Sequence, residues 1–148
     1  MNKFEGIHAL RILKTIHWSI TLLPLLFAAI VFYMNSNAVG GEVNEAFLYS
    51  SIIVMALAIP GSSFLFKSYL RKMNLNSSSA SEEVFQAFQT AHLLRLLVIE
   101  TAGFFGIVCA YITGSNLILG VTVFAVVFMA SMVPSYLGIA DTFNFVNE

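Results

Sequence analysis

The sequence predicts an all-α integral membrane protein: a four-helix transmembrane bundle made of two tandem helical hairpins. Only 10% of its 148 residues are charged, 58% are hydrophobic, and the mean hydropathy is +0.84. A soluble domain has about 25% charged residues, so a lipid bilayer is the solvent that fits this composition. Four apolar stretches are long enough to cross about 30 Å of hydrocarbon as helices. No other segment is long enough to bury a core, so residues 1–148 are expected to form one membrane domain.

The four predicted helices cover residues of about 13–34, 46–69, 82–112 and 117–136. The longest uncharged stretch, residues 101–140, is too long for one span. The sequence TGSN at 113–116 has the turn-forming residues that divide it into a hairpin. A polar linker at about 73–81 separates the two hairpins and is expected in the cytoplasm.

The orientation follows from the basic residues, which in membrane proteins concentrate in cytoplasmic loops. They precede helix one and flank the central linker: Lys3, Arg11, Lys14, Lys67, Arg71, Lys72 and Arg95. The first loop carries only Glu42 and Glu45, and the TGSN turn carries no charge. We therefore expect a multi-pass protein of a bacterial inner membrane with both termini in the cytoplasm.

Two short motifs occur twice and suggest an internal repeat. HALRIL at 8–13 recurs as HLLRLL at 92–97, and MALAIP at 55–60 recurs as MASMVP at 129–134. The order is the same in both halves, which favours duplication of one hairpin, although short apolar strings also match by chance. Aligned on the two arginines, Glu100 corresponds to Ile16, so folding of the hairpin does not require the acid.

Glu100 lies inside the predicted third span, where an ionised carboxylate costs several kcal/mol. Two interpretations are open. Glu100 is a proton- or cation-handling group, or it is a structural acid that is hydrogen-bonded to His17 or Arg11 and locks the hairpins together. The predicted intramembrane polar cluster comprises Glu100, Arg95, His17, Thr15 and His92.

Small residues follow one side of helix three. Ala102, Gly106 and Ala110 are four residues apart, and Gly103 widens the strip. Such a strip allows a second helix to approach closely. The partner helix belongs either to the same bundle or to another subunit, with a pore-lining role as the minor alternative.

Prolines fall within or at the ends of three predicted spans, at Pro24, Pro60 and Pro134. Each removes a helical hydrogen bond and is expected to kink its helix. Ser62 and Ser63 can satisfy backbone groups that are freed near Pro60. Such kinks serve as hinges or, more often, as static bends.

The sequence offers little for other chemistry. It has no catalytic motif, no metal-ligand spacing and no basic stripe for nucleic acid, so no enzyme activity, metal or cofactor is expected. The single cysteine, Cys109, excludes an internal disulfide. A haem held by His17 and His92 across two helices is the remaining alternative.

The stretch 89–116, with Arg95, Glu100, Tyr111 and the TGSN turn, resembles a group of small four-helix inner-membrane proteins from Bacteroidota. At the level of layout the resemblance covers most of the chain. It implies a bacterial origin, but the group has no known activity. Proteolipid subunits of rotary ATPases are similar in outline, yet their glycine repeat is missing from residues 46–66 and their termini lie on the other side, so membership is not expected.

The leading functional hypothesis is a non-enzymatic structural or accessory subunit that self-associates or joins a larger membrane complex. The small-residue strip and the cytoplasmic extension of helix three are the expected contact surfaces. The alternative is a small proton- or cation-coupled transporter or channel that uses Glu100. Both hypotheses place the chain in the lipid bilayer.

Overall fold

The computed structural model describes residues 3–37, 44–73, 81–135 and 138–139. Within these ranges the chain is helical and contains no strand, which confirms the all-α class. The helices are α1 (Lys3–Asn37), α2 (Glu45–Lys72), α3 (Ser81–Thr113) and α4 (Leu119–Ala130), with a 3-10 turn at Asn116–Ile118 before α4. The core of the predicted linker, residues 74–80, lies outside the described residues.

Local signals explain most helix ends. Asn44 caps α2, because its side-chain oxygen accepts a hydrogen bond from the backbone N–H of Ala46 at 3.1 Å. Arg71 and Lys72 occupy the last turn of α2, where cations favour the helix dipole. α3 stops at the TGSN turn, in which Gly114 has a φ of 68°, a conformation that suits glycine. The predicted turn between α3 and α4 is therefore present.

α4 is shorter than expected and ends at Ala130 rather than near residue 136. Pro134 has no N–H to donate to the Ala130 carbonyl, and a proline disfavours helical backbone in the residue before it. The expectation that Pro134 kinks a helix is wrong, since it lies beyond the helix end. Pro24 and Pro60 do lie inside α1 and α2.

Three helices, α1, α2 and α3, are long and apolar enough to cross a membrane. The apolar helical stretch Asn116–Ala130 is shorter, at about 22 Å for its 15 residues. Three of the four expected spans thus have the length and composition to cross a membrane, and α4 falls short by itself.

α3 is the central helix and packs against α1, α2 and α4. Half of its most apolar window is buried, compared with 28% for α1 and 17% for α2. α1 runs parallel to α3, because His17 meets His92 and Asn35 meets Ala110, both pairs 75 positions apart. α2 runs antiparallel to α3, because Arg95 meets Ser63 and the earlier Phe88 meets the later Phe66.

The first predicted hairpin is not a packed unit. α1 and α2 each pack on α3 rather than on one another. The buried residues of α2, such as Met55 and Leu70, join clusters with α3 side chains, and those of α1 do the same. The repeated motifs also do not face each other: His8 and His92 are 84 positions apart, whereas the packing register is 75. The repeat stays a prediction.

Candidate functional site

A pair of histidines joins α1 to α3 inside the bundle. Nδ1 of His17 lies 3.1 Å from Nε2 of His92, which is hydrogen-bond distance. The two side chains are 0% and 4% exposed, and their rings are stacked at a centroid distance of 5.3 Å. One nitrogen of the pair donates and the other accepts, so the two tautomers are coupled.

This geometry bears on the haem alternative. The two facing nitrogens already bond each other, and a haem iron held between the rings would have to replace that bond. Among the described residues, no three His, Cys, Asp or Glu side chains converge as metal ligands. The histidine pair is better read as a hydrogen-bonded unit than as a ligand set.

Two side-chain atoms on the same face of α1 are buried without a hydrogen-bond partner. They are Nε2 of His17 and Oγ1 of Thr21, one helical turn later. Leaving a buried polar group unpaired costs about 1–3 kcal/mol, so such groups are usually paired with buried water when space allows. A polar, unsatisfied patch therefore follows the histidine pair along the α1–α3 seam, the contact surface between these helices.

Pro24 leaves a third polar group, a backbone carbonyl, without its regular partner on the same face of α1. Its ring is fully buried, one turn after Thr21. Because proline has no N–H, the carbonyl of Ile20 lacks its regular helical donor. Pro24 thus contributes to the polarity of the seam.

Glu100 faces α1. It shares a side of α3 with Phe104 and Ile107, four and seven residues later. Phe104 contacts Phe27, and Ile107 packs with Ala28, so this side of α3 is directed at α1. The side chain of Glu100 is 9% exposed.

Glu100 has neither of the partners that the structural interpretation required. His17 is paired with His92, and the carboxyl group of Glu100 forms no hydrogen bond or ion pair with another described residue. The packing register places Glu100 level with Leu25, and helical side chains lean towards the helix N-terminus. The carboxyl group therefore leans towards the level of Thr21.

Two members of the predicted cluster lie elsewhere. Thr15 is exposed, and its hydroxyl donates to the Arg11 carbonyl of its own helix at 3.1 Å. Arg95 faces α2, where its Nη2 donates to Ser63 Oγ at 3.2 Å and its guanidinium lies 5.7 Å from the centre of the Phe66 ring. The structure thus pairs His17 with His92, places Glu100 about two turns farther along the same α1–α3 contact, and separates Thr15 and Arg95 from all three.

The small-residue strip of Ala102, Gly103, Gly106 and Ala110 is buried against α4. A Cβ on Gly103 would lie 3.3 Å from Ala125 Cβ, and one on Gly106 would lie 3.1 Å from Thr122 Oγ1. The Thr122 hydroxyl also donates to the Gly103 carbonyl at 2.9 Å. The strip therefore packs inside the bundle and does not offer a surface to a second subunit.

Sequence reasoning missed several polar residues of the interior, among them Thr21, Asn35 and Thr122. The Asn35 side-chain amide donates to the Ala110 carbonyl at 3.1 Å, which closes the far end of the α1–α3 seam. A signal was available for α1, because its buried residues recur three or four positions apart: His17, Thr21, Pro24, Ala28, Val31 and Asn35. A polar residue on such a stripe faces the bundle.

Comparisons of the chain with family models, with curated proteins and with solved structures give no match. The interpretation of the site therefore depends on its own geometry and chemistry.

Proposed function

We propose that this chain is a multi-pass membrane protein that binds and releases a proton at Glu100, as a small proton-coupled transporter or channel does. The observation that carries the proposal is the pair of buried, unpartnered polar atoms on α1, one and two turns before the level of Glu100. His17 Nε2 and Thr21 Oγ1 have no hydrogen-bond partner, and the carboxyl group has none among the described residues.

The cost of placing a charge in the bilayer favours proton binding at Glu100 over a purely structural role for this acid. A charged side chain within a membrane is costly and usually marks an ion or proton pathway. A structural acid would offset that cost with direct hydrogen bonds to the helix that it fixes, and Glu100 lacks them. A carboxyl group that gains and loses a proton instead needs neighbours that hold water, which unsatisfied hydroxyl and imidazole groups do.

We propose the cytoplasmic membrane of a bacterium as the location, with both termini and the central linker in the cytoplasm. The distribution of lysine and arginine supports this orientation. In it, α1 and α3 both begin on the cytoplasmic side, and the histidine pair lies nearer that side than Glu100 does.

The proposal is tested by proton flux into liposomes that contain the purified protein and a trapped pH indicator. With an imposed potential, we expect faster acidification than in empty liposomes. Glu100→Gln should abolish the excess, because glutamine keeps the shape but cannot exchange a proton. The matched control is Glu83→Gln, which removes the same charge from an exposed position on the same helix. Equal flux in Glu100→Gln and wild-type liposomes, or no excess in either, would refute the proposal.

An accessory subunit of a membrane complex is the second candidate, and α2 favours it. α2 is the least buried of the three long helices. An apolar groove of about 560 Å³ lies between α2 and α4, and its lining includes the small residues Ala56 and Gly120. Small residues on a lipid-facing surface let another helix approach closely.

Gly120→Leu tests the accessory role. A Cβ at Gly120 meets no atom within 4 Å, so leucine fills the groove without disturbing the fold. Loss of a detergent-stable oligomer in this variant, with unchanged proton flux, would support assembly through the groove. A wild-type protein that is monomeric in mild detergent and in lipid nanodiscs would contradict it.

A further inference from the structure

Within the α1–α3 seam, the unsatisfied polar atoms lie on one side of Glu100 only. Two other buried atoms without a partner lie off this seam: Arg95 Nε is on the α2 side of α3, and Asn116 Oδ1 is in the turn before α4. α1 and α3 run parallel and in register, so their N-terminal halves share one end of the bundle. His17, His92 and Thr21 all lie towards that end, and Glu100 lies farther along. A proton that reaches the carboxyl group through polar side chains must therefore come from the end at which α1 and α3 begin.

The spacing of these groups fits a chain of bridging waters. His17 is level with His92, Thr21 is one turn farther, and Glu100 is about one more turn farther in the common register. Each step is about 6 Å along the helix axis. That is too long for a direct hydrogen bond but is the reach of one water between two polar groups.

Beyond Glu100 the seam is apolar. Ala28, Val31, Ile107 and Ala110 form one packed cluster with residues from the start of α4. The next polar side chain on this seam is Asn35, whose amide is already bonded to the Ala110 carbonyl. From the level of Glu100 to Asn35 is about 15 Å, so no short hydrogen-bonded route leads out at this end.

The other helices offer no alternative route. α4 has no titratable side chain, and its buried Thr122 hydroxyl already donates to the Gly103 carbonyl. α2 has no titratable residue between Tyr49 and Lys67. On α3, Arg95 lies on the α2 side, where its Nη2 donates to Ser63 and its Nε has no partner, and Cys109 lies within the apolar cluster. The histidine pair therefore contains the titratable groups nearest to Glu100 on the α1 side of the described bundle.

We propose that Glu100 exchanges its proton with one side of the membrane only, through a water-bridged track formed by His92, His17 and Thr21. The inference rests on the proposed function, because it assigns the access side of the same carboxyl group. In the conformation described, the protein is a one-sided proton site, and transport requires a second conformation in which the apolar half of the seam opens.

The proton balance of the track is consistent with exchange from one side. A proton binds Nδ1 of His92, the Nε2 proton of His92 passes to Nδ1 of His17, and the Nε2 proton of His17 leaves through water and Thr21 to the Glu100 carboxylate. Both imidazoles then have the opposite tautomer. Release of the proton by the same route restores the original tautomers, whereas release at the other end does not.

The test uses liposomes in which the protein has one orientation, established by protease access to a tag at residue 1. A pH step is applied on one side, and the infrared carbonyl band of the protonated Glu100 carboxyl is followed, with Glu100→Gln to identify the band. We expect the band to respond only to steps on the side at which α1 and α3 begin. An equal response to steps on either side would overturn one-sided access but leave the proposed function intact. No Glu100-dependent response to either step would overturn the proposed function as well.

A pair of isosteric variants tests the track itself. Thr21→Val removes the hydroxyl on the access side, and Thr122→Val removes one on the closed side. Thr21→Val is expected to slow the response by about a hundredfold, the lower end of what a positioned proton-transfer group contributes. Thr122→Val should leave the rate unchanged. If both variants respond at the wild-type rate, or if both are slowed equally, the track is not the route.

Discussion

The two halves of the α1–α3 seam differ in whether their buried polar groups have hydrogen-bond partners. In the half beyond Glu100, the one polar contact between the helices, from Asn35 to the Ala110 carbonyl, is complete, and the remaining contacts are apolar. In the half before Glu100, His17 and Thr21 each present a buried atom with no partner. The same two helices thus form an apolar half, in which the polar groups are hydrogen-bonded, and a polar half, in which buried polar atoms lack partners.

This difference separates the requirements of folding from those of the site. Packing alone would favour the satisfied arrangement along the whole seam, since each unpaired buried group costs free energy. Unsatisfied groups that persist in a packed region commonly mark functional positions. The polar half therefore indicates a site, and the apolar half indicates the support that holds the helices in place.

The largest effect on stability is expected for Gly106→Leu, which overpacks the contact between α3 and α4 beside the apolar half of the seam. A Cβ at this position would already lie 3.1 Å from Thr122 Oγ1, so a leucine side chain must displace α4. Overpacking of this kind costs about 1–3 kcal/mol. We expect a lower thermal midpoint in detergent than for the wild type, while the control Gly120→Leu keeps the wild-type value. A midpoint equal to the wild-type value in Gly106→Leu would show that α4 does not pack on this strip.

A smaller loss of stability is expected for His92→Leu, which removes a hydrogen bond from the polar half of the seam. The variant removes the partner of His17 Nδ1 and leaves His17 with both ring nitrogens unpaired. The free energy of unfolding should fall by about 1–2 kcal/mol. His92→Gln, which keeps a hydrogen-bonding group, should recover part of this loss. Equal stability of the two variants would argue against the histidine hydrogen bond.

Asn35→Leu and Thr21→Val sharpen the comparison, because their effects on stability should differ in size. Asn35→Leu removes a satisfied bond and should destabilise the protein by about 0.6 kcal/mol, the average for hydrogen bonds between membrane helices. Thr21→Val removes a hydroxyl that bonds no protein group and should be nearly neutral. Reversible unfolding in mixed micelles measures both. Destabilisation by Thr21→Val as large as that by Asn35→Leu would mean that the Thr21 hydroxyl bonds another group of the protein.

The last variant, Arg95→Lys, is expected to cause only a small loss of stability. Lysine keeps the charge but loses the planar group that lies over Phe66 and donates to Ser63. Because Arg95 is on the α2 side, stability should fall by less than about 1 kcal/mol, and the proton exchange of Glu100 should not change. A change in exchange as large as that of Thr21→Val would place Arg95 on the track.

Most of the fold could be predicted from hydrophobicity and from turn-forming residues. The helices and the TGSN turn follow from runs of apolar residues and from glycine at a left-handed position, which are local properties. The end of α4 was misjudged because Val133 and the residues around it are apolar, whereas the backbone restriction from Pro134 decides where the helix stops. The sequence also did not reveal that α1 and α2 pack on α3 rather than on each other, because the order of helices along the chain does not say which helix is central.

The site was only partly accessible from the sequence. Glu100 stands out because it is an acid in an apolar run, and His17 and His92 were grouped with it by depth. Thr15 was included and Thr21 was missed, because the choice depends on which face of α1 meets α3. That face is fixed by the contacts at His17 and Asn35, which are 75 positions from their partners and outside the reach of any local pattern.

The most direct measurement is an equilibrium infrared titration of Glu100 in lipid bilayers. A carbonyl band of the protonated carboxyl, absent from Glu100→Gln, is expected to appear as the pH is lowered and to vanish reversibly as it is raised, while the protein stays folded. A Glu100 band that keeps constant intensity over the whole pH range in which the bundle is intact, or that is never seen, would contradict proton binding and release at this residue.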